Sequence, residues 1–137
     1  MKTFKNRSPA DKRSFLLEVE FYTNFKHPRL LKLYHSEWNG KFVDDKNKKK
    51  NLGYLVFDYC EKGELLDYIF NNPFDKYTCR YYMSQLISVL HFLHSNGVSH
   101  RDIKPENICL DKNFDLKLID PGLCGWTEEM HQIKTDQ

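Results

Sequence analysis

The sequence predicts an α+β fold. Three observations carry this: a well-capped helix near the start, two strand-like apolar stretches directly after it, and a second half in which a long helix precedes two short apolar runs. A length of 137 residues suits one domain rather than two independent ones.

The first helix is expected over residues 8–26. Ser8 caps it, Pro9 fits the first helical position, and Asp11 completes a capping-box-like pattern. Phe15, Val19 and Tyr22 recur at helical spacing, and His27-Pro28 stops the helix because proline pushes its predecessor out of the α region. Residues 30–37 read as a strand with Leu31, Leu33 and His35 on one face. Residues 39–51 are polar and lysine-rich, which predicts a loop, and 53–59 form a near-continuous apolar strand. Cys60-Glu61-Lys62-Gly63 is a short linker.

A short helix follows over 64–70, closed by Asn71-Asn72-Pro73. A long one spans 75–95, with Cys79, Tyr82, Leu86, Val89, Leu90 and Leu93 as its apolar stripe and Asn96-Gly97 as its left-handed stop. Ile108-Cys109-Leu110 and Leu116-Lys117-Leu118-Ile119, separated by Asp111-Lys112-Asn113-Phe114, read as a hairpin.

Composition narrows the function. Lys+Arg 21 against Asp+Glu 19 leaves a net +2, so no bulk field points to nucleic acid or to a membrane surface. The basic run Lys46-Asn47-Lys48-Lys49-Lys50 is read as a solvated loop rather than a localisation signal. No apolar run approaches the roughly 18 residues a membrane span needs, and Met1-Lys2-Thr3-Phe4-Lys5 leads into polar sequence rather than a secretory apolar region. The four cysteines, Cys60, Cys79, Cys109 and Cys124, form no C-x-x-C and are read as reduced thiols. A cytoplasmic protein is expected, with the nucleus as the other compartment.

The densest polar cluster is His100-Arg101-Asp102-Ile103-Lys104-Pro105-Glu106-Asn107, on a loop between the long helix and the hairpin. An aspartate, a lysine two residues on and an asparagine five residues on offer a proton acceptor, a fixed cation and a neutral oxygen ligand. Hard Mg²⁺ prefers oxygen donors, and a transferring phosphoryl group needs charge stabilisation around its oxygens. The hairpin would fold Asp120, a second oxygen ligand, back toward Asn107.

This eight-residue segment resembles the H-R-D-x-x-x-x-N catalytic loop of the eukaryotic protein kinases at every fixed position. The resemblance implies a bilobal kinase fold, with residues 1–59 as an incomplete N-lobe and 60–137 as hinge and incomplete C-lobe. It implies ATP and Mg²⁺ as cofactors, and a protein substrate bearing serine or threonine. Asp102 would accept the proton of the substrate hydroxyl, Lys104 would steady the γ-phosphate, and Asn107 and Asp120 would hold Mg²⁺. Lys104-Pro105-Glu106 resembles the serine/threonine branch. Lys2 would be the α/β-phosphate lysine and Glu18 its helix partner. Phe57 would be the gatekeeper, backbone groups of Asp58 and Cys60 would meet adenine, Glu64 would lie near the ribose, and Cys109 would floor the adenine. Gly63 to Ile69 and Leu110 to Lys117 resemble the calcium/calmodulin-dependent and AMP-activated groups.

The pattern also departs from the family. No G-x-G-x-x-G occurs, and the chain ends at Gln137, shortly after the D-x-G position. A domain truncated at both ends, with little or no activity as an isolated chain, is therefore expected, and an incompletely covered helix 75–95 predicts poor solubility. The D-F-G motif reads Asp120-Pro121-Gly122, and proline is expected to bias Asp120 toward extended geometry. These departures support a second reading, a pseudokinase-like scaffold or regulatory module with weak or no nucleotide binding, acting on a kinase partner.

Overall fold

In the computed structural model the described residues are 1–5, 8–43, 47–121 and 125–126. The chain divides into two compact units, Met1–Lys26 with Lys32–Asp58, and His27–Leu31 with Tyr59–Gln137.

The first unit is a helix packed on an antiparallel sheet. Helix α1, Pro9–Asn24, starts at a full capping box: Asp11 N–H donates to Ser8 Oγ, and Ser8 N–H donates to Asp11 Oδ2. Such a cap contributes about 1 kcal/mol. The helix stops at Asn24, two residues before Lys26, because Phe25 already turns extended. The sheet order is β1–β3–β2, with β1 at Lys2–Lys5, β2 at Leu33–Val43 and β3 at Lys49–Phe57. Phe15 of α1 meets Phe4 edge-on at 5.4 Å and Trp38 at 5.2 Å, and Tyr22 meets Phe57 at 4.7 Å. A Cβ on Gly53 would come within 2.7 Å of the Trp38 ring, so this close approach requires glycine.

Two expectations fail here. Much of the expected loop 39–51 is strand: Gly40, Lys41, Phe42 and Val43 pair with Leu52, Asn51, Lys50 and Lys49 across a ladder, while residues 44–46 lie outside the described residues. A ladder bonds through backbone groups, so polar side chains facing solvent do not prevent it. The strand expected from residue 30 starts at Leu33, and a register shift between Leu33 and His35 leaves His35 exposed instead of alternating inward.

The second unit places helix α2, Leu65–Asn71, and helix α3, Lys76–Ser95, before the short strand β4, Val98–Ser99. Asp75 caps α3 by accepting from Thr78 N–H at 2.7 Å, and Gly97 at φ 71° ends it. Its buried face is Gln85, Val89 and Leu93; Cys79, expected on the apolar stripe, is exposed. Tyr77, Met83 and Ile87 of α3 are also exposed. Strands β5, Ile108–Leu110, and β6, Leu116–Leu118, form the expected hairpin, with Ile108, Leu110, Leu116 and Leu118 all buried. Strand β7, Gly125–Trp126, pairs with β4.

Candidate active site

The hairpin is anchored at its turn by a network that the sequence does not announce. Asp115 accepts from Tyr81 Oη at 2.7 Å and Gln85 Nε2 at 3.2 Å, and pairs with Arg29 Nη1 at 2.9 Å. The buried Gln85 returns its oxygen to Leu116 N–H at 2.8 Å. These partners hold the Asp115 carboxyl below the ordinary aspartate range, the Arg29 bond first. Leu118 N–H donates to Arg29 O at 2.8 Å, so the hairpin is fixed along its outer strand as well.

That fixed hairpin sets the polar loop before it. His100 is almost wholly buried, and its Nε2 donates to Ile119 O at 2.9 Å. Burial lowers its pKa, so the ring is neutral with the proton on the nitrogen that faces a carbonyl. Asn107, also buried, donates both amide hydrogens to Asp102: one to its carbonyl at 2.8 Å and one to Oδ2 at 2.8 Å. Lys104 Nζ donates to the same Oδ2 at 2.9 Å. The Lys104 bond and then the Asn107 bond hold Asp102 below the ordinary carboxylate range, and Lys104 is raised in turn. Asp102 is therefore ionised at neutral pH, in one fixed orientation.

Asp120 follows directly. Ile119 N–H donates to Asn107 O at 2.9 Å, which brings the Asp120 backbone beside Asn107. The expected extended geometry at Asp120 is overturned: its φ is 58°, in the left-handed region. The bond to Asn107 holds Ile119 just beyond the β5–β6 ladder, the chain turns at the next residue, and aspartate tolerates that region better than most. Pro121 is buried; Gly122 lies outside the described residues. Arg101 likewise sits at φ 65°, so residues in left-handed geometry stand immediately before Asp102 and before Pro121.

The remaining sequence-derived site residues fall into smaller groups. In the first unit Lys2 Nζ reaches Glu18 at 2.5 Å, joining β1 to α1. Asp58, at the end of β3, accepts from Lys32 N–H at 3.0 Å and Tyr34 Oη at 2.7 Å. In the second unit Glu64 caps α2 without a side-chain bond and bridges Cys109 of β5. Cys60 is half-buried, and its thiol interacts with that of Cys109. That interaction and burial push the Cys60 thiol up, while the same interaction lowers Cys109.

The protein kinase domain model matches residues 1–136. The chain belongs to the protein kinase family. Similar relatives of this kinase chain include a maternal embryonic leucine zipper kinase of Danio rerio, 38% identical over 80% of the chain. A probable serine/threonine-protein kinase MARK-C of Dictyostelium discoideum is 35% identical over 90% of it. A NUAK family SNF1-like kinase 1 of Mus musculus is 36% identical over 86%. The chain spans only 15%, 15% and 17% of the length of these three relatives. No helix among its described residues is long and apolar enough to cross a membrane.

Proposed function

We propose that the chain carries the phosphoryl-transfer machinery of an ATP- and Mg²⁺-dependent serine/threonine protein kinase. The observation that supports this most is Asp102 Oδ2, ionised and held by Lys104 and Asn107 together. Asp102 receives the proton of the substrate hydroxyl as its oxygen turns toward phosphorus. Lys104 passes from Asp102 to the charge that develops on the transferring group.

The donor set suits a hard cation. Both amide hydrogens of Asn107 are committed to Asp102, so its Oδ1 is the atom left for a ligand, and Asp120 supplies an exposed carboxylate. No group of three or more His, Cys, Asp or Glu that could hold a metal occurs among the described residues. One carboxamide and one carboxylate match Mg²⁺, which keeps waters and phosphate oxygens in its remaining positions. When bound, Mg-ATP supplies the γ-phosphoryl group and the charge neutralisation around it. Lys2, oriented by Glu18, holds the α- and β-phosphates. The Asp58 N–H is spent on Lys32 O and the Cys60 carbonyl on Gly63 N–H, which leaves the Asp58 carbonyl and the Cys60 N–H for an adenine edge. Glu64 is assigned to the ribose and Cys109 to the adenine face.

The preference for serine or threonine rests on Lys104-Pro105-Glu106 and on the likeness to the probable serine/threonine-protein kinase of Dictyostelium. The test is a Mg-ATP titration of melting temperature on the chain, repeated on Lys2→Ala. A nucleotide-dependent rise that Lys2→Ala removes supports the reading. No rise, together with co-purification of a complete kinase, overturns it in favour of the scaffold.

A further inference from the structure

Cys60 and Cys109 are 49 positions apart in the chain (109 − 60), yet the turn that carries Cys60 lies on the strand that carries Cys109. The backbone explains the meeting. Gly63 N–H donates to Cys60 O at 3.2 Å, curling residues 60–63 into a turn. Lys62 N–H donates to Leu110 O at 3.1 Å, Leu110 N–H donates to Gly63 O at 2.9 Å, and Glu64 bridges Cys109. The turn is thus laid onto β5 beside Cys109, and the two thiols interact with each other. Both residues are only half-buried, so a small oxidant reaches them. Cys79 has a different setting, exposed on α3 with its thiol directed at Phe74 O.

We propose that Cys60 and Cys109 form an oxidant-responsive dithiol site that closes to an intramolecular disulfide. The co-reactant is hydrogen peroxide. One cysteine, as thiolate, attacks a peroxide oxygen; the O–O bond breaks, giving a sulfenic acid and hydroxide, which takes up the proton that thiol had released. The second sulfur displaces hydroxide from the sulfenic sulfur, and its own thiol proton converts that hydroxide to water. Two thiols are oxidised, one peroxide is reduced, and two waters leave. The bond fixes the turn carrying Cys60, whose N–H is assigned above to the adenine edge. That consequence rests on the nucleotide reading, whereas formation of the bond does not.

The experiment treats the native chain with stoichiometric hydrogen peroxide, blocks residual thiols with N-ethylmaleimide, and maps tryptic peptides without reduction. The expected product links peptide 51–62 to peptide 102–112, leaves Cys79 alkylated, runs as a monomer, and reverts with dithiothreitol. In urea the preference for this pair disappears. Cys60→Ser and Cys109→Ser each remove the link. Oxidation of Cys79 ahead of the pair, a link from Cys60 or Cys109 to any other cysteine, or the same preference in urea would overturn the proposal. The native and denatured maps decide it even if a variant fails to fold.

Discussion

Two lysine–carboxylate pairs in this chain share a chemistry and differ in burial. In Lys2–Glu18 the carboxylate side chain is 5% exposed and its lysine 38%, and the pair ties a strand to a helix across 16 residues of sequence. In Lys104–Asp102 the side chains are 46% and 29% exposed and only two residues apart. A carboxylate taken out of water depends on its partner, because the lost hydration must be replaced. An exposed one depends on it little, since water and salt screen the pair. The first pair is therefore part of what holds its unit together, and the second is free to exchange partners during chemistry.

The largest stability effect should follow Lys2→Ala, which leaves the buried Glu18 carboxylate without that lysine. A loss of roughly 1–3 kcal/mol is expected, below the full cost of breaking a wholly buried pair because Lys2 is partly solvated. Urea denaturation of the variant measures it. Asn107→Leu ranks next. It fills the same buried space but removes two hydrogen bonds from Asp102, and about 1–2 kcal/mol is expected, with the Asp102 carboxyl rising toward its ordinary range in a carboxylate NMR titration.

A pH effect comes third. His100 and His27 both have lowered pKa values in the fold, burial being the first cause for each. The unfolded chain binds those protons more readily, so stability falls as pH drops through the ordinary histidine value of about 6.5. Calorimetry from about pH 7 to about pH 5 should show a falling melting temperature, with a smaller slope in His100→Gln, whose amide N–H preserves a donor for Ile119 O. An unchanged slope would remove His100 from the account. The smallest effect is Lys104→Ala, expected to leave stability nearly unchanged because water and salt screen the exposed pair. If it matched Lys2→Ala, the contrast between the two pairs would be lost.

What could be read in advance follows the same division between local and distant contacts. The α1 capping box needs only Ser8 and Asp11, three residues apart, and is visible in the string. The segment from His100 to Asn107 is eight contiguous residues. The β2–β3 arm was hidden because its stability lies in backbone pairs such as Lys41 with Asn51, to which side-chain polarity is blind. The Arg29–Asp115–Gln85 network was hidden because its members are far apart in sequence and individually ordinary. The geometry of Asp120 was misjudged for a related reason: the local preference before proline yields to a hydrogen bond between Ile119 and Asn107.

The central claim is that the Asp102 carboxylate serves phosphoryl transfer while its charge contributes little to holding the fold together. The measurement is γ-phosphoryl transfer from Mg-ATP to a serine/threonine peptide by the gene product that carries these residues, compared with Asp102→Asn and paired with melting temperatures. The account predicts a loss of roughly 10²–10⁴-fold in rate with a melting temperature nearly unchanged. Equal rates in the two proteins, or a loss of rate that only tracks unfolding, would contradict it.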